Sequence, residues 1–142
     1  MPKSKPFTLR LSGEVESWLE RESRSTKLPK GLLLESLAEE SIRARRFPGL
    51  GFRGAENSRR AWVIGSALDV WELVELYRGK GRERLLAEHN VSERQLELAL
   101  SYSGEYPREI EEAIEENSRA PEEWRRLNPA LIPLPSEYLE DK

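Results

Sequence analysis

The chain has 142 residues, 35% of them charged and 37% hydrophobic, a net charge of −3, no cysteine and one histidine. That length allows one domain or two small ones, and so few apolar residues make each core small, with oligomerisation as a supplement. The missing thiols exclude disulfides, thiolate metal sites and cysteine catalysis; no apolar run is long enough to span a bilayer and Met1-Pro2-Lys3-Ser4-Lys5 precedes no signal-peptide core, so a cytoplasmic protein is expected.

Residues 1–6 are polar and basic, hold Pro2 and Pro6, and read as a flexible arm. In Phe7-Thr8-Leu9-Arg10-Leu11 the apolar residues alternate with Thr8 and Arg10, the pattern of a short strand. A lone strand lacks partners for its backbone and for its apolar side, and a second copy of the same strand would supply both. Ser12 then suits a helix N-cap, with Glu14 and Glu16 in the first turn and Val15, Trp18 and Leu19 as the apolar stripe. After the polar turn Arg21 to Lys27, a second helix is predicted to begin at Pro29 as its first residue. Its buried stripe is predicted at Leu34, Leu37, Ala38 and Ile42, and Phe47-Pro48-Gly49 stops it after Arg43, Arg45 and Arg46. Lys5, Lys27 and Lys30 are candidate phosphate contacts, the last two beside the N–H groups that open the second helix.

Residues 47–66 are a linker or a small β element, in which Gly51-Phe52-Arg53 and Arg60-Ala61-Trp62-Val63-Ile64 are able to pair. Asp69 is an N-cap candidate for a helix with Val70, Val74 and Tyr77 on one face and Trp71 and Leu73 widening it. Gly79-Lys80-Gly81 ends that helix, and Leu85 and Leu86 lie on a short one ending near His89-Asn90. Ser92-Glu93-Arg94-Gln95 is a capping box that opens a helix with Leu96, Ala99 and Leu100 inside. Tyr106-Pro107 breaks the chain before a last helix marked by Ile110, Ala113 and Ile114. Leu85 to Tyr102 has a helix-turn-helix rhythm, but Glu93 and Glu97 on its second helix would meet DNA phosphates badly, which argues for a protein-binding or dimerising bundle.

The tail carries Pro121, Pro129, Pro133 and Pro135 among Trp124, Leu131, Ile132, Tyr138 and Leu139. Proline at that density forbids a long helix, so the segment reads as an extended arm that either docks on a partner or wraps back over its own domain.

Strand, capped helix and proline-started helix over residues 7–46 resemble the ribbon-helix-helix family, the Arc, MetJ and CopG type of repressor. The resemblance implies an antiparallel pairing of two chains, a dimer core of Phe7, Leu9, Leu11, Trp18, Leu34, Leu37 and Ile42, and a ribbon that presents Thr8 and Arg10 to base edges in the major groove. Residues 48–116 are similar to a small helical domain found in predicted bacterial antitoxins (VapB-like), through Asp69–Leu76, Val91–Tyr102 and Glu105–Ile114. Ser103 stands where the commoner form has a second aromatic.

The expected fold is mainly α with one short N-terminal strand. A ribbon-helix-helix unit (1–47) precedes a small helical domain with a minor hairpin (48–117) and a proline-interrupted arm (118–142). Residues 1–60 hold 13 Lys+Arg against 8 Asp+Glu, and residues 61–142 hold 10 against 18, so the two halves suit partners of opposite charge. His89 and the run Glu109, Glu111, Glu112, Glu115 and Glu116 give no convergent catalytic or metal-binding set, and neither an enzyme nor a cofactor is expected. The reading is an antitoxin that represses its own operon, with operator DNA and a toxin as partners; family resemblance makes that toxin a PIN-like ribonuclease held by Trp124, Leu131, Ile132, Tyr138 and Leu139. The alternatives are a DNA-binding regulator whose second domain only oligomerises, and an interaction module that never reads DNA.

Overall fold

In a computed structural model that describes residues 5–56 and 58–118, the chain is mainly helical. Its elements run α1 (Gly13–Thr26), α2 (Lys30–Arg46), β1 (Leu50–Arg53), β2 (Arg60–Val63), α3 (Val70–Lys80), α4 (Arg82–Glu88), α5 (Glu93–Glu105) and α6 (Pro107–Asn117). The chain divides after Asp69 into two units, so the hairpin groups with α1 and α2 rather than with the helices after it. The tail anchors Trp124, Leu131, Ile132, Tyr138 and Leu139 lie outside the described residues. Among the described residues no helix is long and apolar enough to cross a membrane.

In the first unit, Ser12 caps α1, its hydroxyl accepting from the Val15 N–H at 3.4 Å, with Glu14 and Glu16 in the first turn. α1 closes at Lys27, whose backbone is left-handed (φ 60) and whose N–H donates to the Ser23 carbonyl at 2.8 Å. Two hydroxyls hold the corner that follows: Ser23 donates to the Leu28 carbonyl and Thr26 to the Glu22 carbonyl, both at 2.7 Å. Pro29 is the cap of α2 and not its first helical residue, since its backbone is extended and the helix opens at Lys30.

The buried stripe of α2 also differs from expectation. Leu33 is buried, whereas Leu34 and Leu37 are only partly covered, Ala38 is exposed and Ile42 is 57% exposed. The physical reason is the run Leu32-Leu33-Leu34, which spans about 200° of the helix perimeter at about 100° per residue. The elements packed on α2, α1 and β1, cover only part of such an arc, and Leu33 is the member fully covered.

The strands pair antiparallel in the register Leu50↔Val63, Gly51↔Trp62, Phe52↔Ala61 and Arg53↔Arg60. Gly54 turns the hairpin at φ 112, where a Cβ would stand 2.8 Å from the Ser58 carbonyl oxygen. Arg59 ties the hairpin to α2, donating to Glu40 at 2.6 Å and to the carbonyls of Phe52 (2.7 Å) and Gly54 (3.1 Å). Arg53 lies 5.2 Å over the Trp62 ring and donates to Asp69 at 2.7 Å and to the Ala67 carbonyl at 3.0 Å. The Trp62 indole donates to the Ser66 carbonyl at 2.8 Å.

The second unit packs α3 against α4, α5 and α6. Its buried residues are Val70, Leu73 and Val74 of α3, Leu85 of α4, Val91, Leu96, Ala99 and Tyr102 around α5, and Ile110 and Ala113 of α6. Tyr77, placed on that face by spacing, is more than a third exposed. Gly81, at φ 83, separates α3 from α4. Ser92 and Gln95 form the full capping box: Gln95 N–H to the Ser92 hydroxyl at 3.1 Å and Ser92 N–H to the Gln95 side chain at 2.9 Å. Tyr102 is fully buried and its hydroxyl donates to Glu109 at 2.5 Å, which brings the start of α6 onto α5.

Candidate nucleic-acid interface

The first unit leaves a whole apolar side uncovered. Phe7 is 80% and Leu9 56% exposed, Leu11 is half-buried, and Thr8 and Arg10 on the other register are exposed as well. Residues 5–11 carry no regular secondary structure, and among the described residues no strand pairs with them. A cavity of about 440 Å³ lies between this segment and the two helices, with Leu9, Leu11, Leu19 and Leu34 around it and Arg10 and Lys30 at its edge. Three of the predicted dimer-core residues, Leu9, Leu11 and Leu34, therefore share one hollow. Trp18 and Leu37 are half-buried, and Ile42 stays exposed on the far part of α2. Full burial of each large side chain that is now open would stabilise a covered form by about 1.5–3 kcal/mol.

The helix starts differ in charge: of α1, α2, α4, α5 and α6, only α2 has no acidic residue in its first turn. α1 opens on Ser12 with two glutamates, and α5 on the Ser92–Gln95 box with Glu93. α2 opens on Pro29 with no side-chain cap and no acidic residue in its first turn. Its first N–H groups have no intrahelical acceptor, so partial positive charge collects there beside Lys27 and Lys30. Lys27 is exposed on the corner, and Lys30, half-exposed, sits 3.2 Å from Glu20. Lys5 is exposed at the start of the described chain.

The second unit handles its cations differently. Arg82 of α4 reaches Glu97 at 3.1 Å and Glu93 at 3.7 Å, the two carboxylates on the exposed side of α5. Arg78 pairs with Glu111, and Lys80 and Arg84 both pair with Glu88. Hydrogen bonds from Lys80 and then Arg84 push the Glu88 carboxyl down to about 2. Arg78 holds Glu111 below the usual carboxylate range by the same kind of bond. His89 ends α4 with its Nε2 3.2 Å from the Lys80 ammonium. The glutamate run of α6 is dispersed, Glu109 to Tyr102 and Glu111 to Arg78, and among the described residues no group of His, Asp or Glu is arranged to hold a metal ion.

Sequence reasoning missed Leu33 and Arg59. Leu33 was legible as apolar but not as the buried member of its run. Arg59 carried no local signal, since its carboxylate partner Glu40 lies on another element.

Comparison with known proteins finds no matching family model, no similar curated protein and no similar solved structure.

Proposed function

We propose that the chain is a dimeric antitoxin of ribbon-helix-helix type. Its front unit binds operator DNA through Thr8 and Arg10, and its acidic second half and tail hold a toxin, a PIN-like ribonuclease. The observation that carries the DNA-binding part is the shared hollow of Leu9, Leu11 and Leu34, open beside an uncapped helix start that is flanked by Lys27 and Lys30. A second copy laid antiparallel along residues 7–11 would cover the apolar side and give the backbone its missing partners. Thr8 and Arg10 would then stand on the outer face of the ribbon, at base edges, with the starts of the two α2 helices on phosphates. The acidic balance of the second half, with Arg78, Arg82 and Arg84 set against glutamates, supports a protein partner there rather than DNA.

Selection of a preferred site from randomised duplexes, followed by titration of variants, tests this reading. Arg10→Ala should cost about 1–3 kcal/mol at the selected site and flatten sequence preference. Lys30→Ala should weaken every duplex about equally and lower the salt slope by about 1. Small, sequence-independent losses from both variants would remove Arg10 from base recognition. Co-purification of a ribonuclease encoded next to this chain tests the toxin half.

A further inference from the structure

The first unit has a second apolar hollow, and it is not the one that the dimer would use. Leu28, Leu32 and Leu33 line a groove of about 470 Å³. Glu35 and Glu39 of α2 and Glu56 of the hairpin loop stand around it, and no lysine or arginine lines it. A smaller hollow of about 160 Å³ beside Thr26 and Ala55 shares Leu28 and Glu56 with it and lengthens it toward the hairpin loop.

Two features separate this groove from the dimer face. Leu32 and Leu34 are two residues apart, which on a helix is about 200°, so a second copy seated on Leu34 leaves Leu32 on the opposite side. The charges are also opposite. Two cations, Lys30 and Arg10, and one carboxylate, Glu16, border the Leu34 hollow, whereas three glutamates and no cation border this one, on a front half that carries net positive charge. Leu32 is 52% exposed at its centre, a large aliphatic side chain with room for a neighbour.

We infer that this groove is a docking site for a basic amphipathic helix of a partner protein. Apolar side chains of that helix, spaced four apart, would lie on Leu28, Leu32 and Leu33, and its lysines and arginines would reach Glu35, Glu39 and Glu56. An apolar trough supplies affinity to a helix laid along it, and complementary charge sets orientation and rejects acidic partners. The inference stands whether or not the partner is a toxin, and it requires no DNA binding.

The test uses the full-length chain, isotope-labelled, and two synthetic helical peptides with leucines four apart. One carries lysine and arginine between the leucines, the other glutamate at the same places. The basic peptide should bind saturably and shift the amide signals of Leu28, Leu32, Ser36 and Glu56. The acidic peptide should bind at least about tenfold more weakly. Leu32→Ser with Glu39→Lys should weaken the basic peptide by at least about tenfold while the chain keeps its helix content and its sedimentation behaviour. Equal binding of both peptides, shifts confined to other residues, or no saturable binding would overturn the inference. A change of oligomeric state in Leu32→Ser would overturn it too, by giving the groove to a second copy. Arg10→Ala, at a residue that does not line the groove, should lose sequence-selective DNA binding and leave peptide affinity unchanged, and so separates failure here from failure of the DNA-binding reading.

Discussion

Lys27 is the one non-glycine residue with a left-handed backbone among those described, and it is also a candidate phosphate contact. An L side chain in that region is strained by about 1–2 kcal/mol, part of which glycine returns through its greater freedom in the unfolded chain. Lys27→Gly should therefore raise stability by about 0.5–1 kcal/mol in urea titration, while non-specific DNA affinity falls. A stability gain with unchanged DNA affinity would make Lys27 a structural residue only. Glu88 poses a different question, one of pH. Its carboxyl, ordinarily near 4.5, is held down to about 2 by Lys80 and Arg84. A depressed carboxylate adds stability that is complete above the unfolded value and lost as pH falls through the folded one. Glu88→Gln should lower the pH 7 midpoint slightly and flatten the acid limb between about pH 4.5 and 2, so that the two proteins converge at low pH. Because the group is fully exposed, added salt should shrink the difference, and an acid limb identical in both proteins would show that the pairs are too mobile to matter.

At the scale of elements, most helix ends and the buried faces of α3, α5 and α6 were legible, and the buried face of α2 was not. Ser12, the Ser92–Gln95 box and Phe47-Pro48-Gly49 announce helix ends because capping acts within one turn of chain. The strands of the hairpin were legible for a similar reason, as alternation between glycine-rich turns. Which leucine of Leu32-Leu33-Leu34 is buried was not legible, since all three are equally apolar and only the approach of other elements chooses among them. Arg59 is the clearest case of tertiary information, three hydrogen bonds to groups on β1, its turn and α2. Arg59→Ala should destabilise the first unit by about 1–3 kcal/mol, because Glu40 and two carbonyls lose a charged donor together. Arg59→Lys should recover little of that loss, since one ammonium does not reproduce the fork. Full recovery by lysine would mean that charge alone, and not the three-way bond, holds the hairpin to α2.

Across the whole molecule both units pair some cations and leave others exposed. The second sets Arg78, Lys80, Arg82 and Arg84 on its own glutamates and leaves Arg94 and Arg108 exposed. The first pairs Arg53 and Arg59 and leaves Arg10 and Lys27 exposed. On the proposed function, deletion of residues 118–142 should leave operator binding nearly unchanged and weaken the toxin complex by at least about tenfold, roughly 1.4 kcal/mol. If the shortened chain unfolds, the arm completes its own domain; if it grips the toxin at full strength, the interface lies on residues 69–116. On the dimer reading, Leu9→Asp should give a chain that sediments as a monomer, lacks operator binding and keeps the helices of its second unit.

The open side of Phe7 and Leu9 has a consequence in the arithmetic of supply. On that reading the front unit is fully formed only as a pair, so its folded fraction depends on how much chain the cell holds. Each tenfold dilution removes about 1.4 kcal/mol per mole of dimer, a loss that the self-contained second unit does not share. A falling pool would thus lose its operator-binding halves to unfolding and proteolysis first, while the other half of each molecule stays intact. Expression of the operon would rise as the pool thins, with chain abundance itself as the signal.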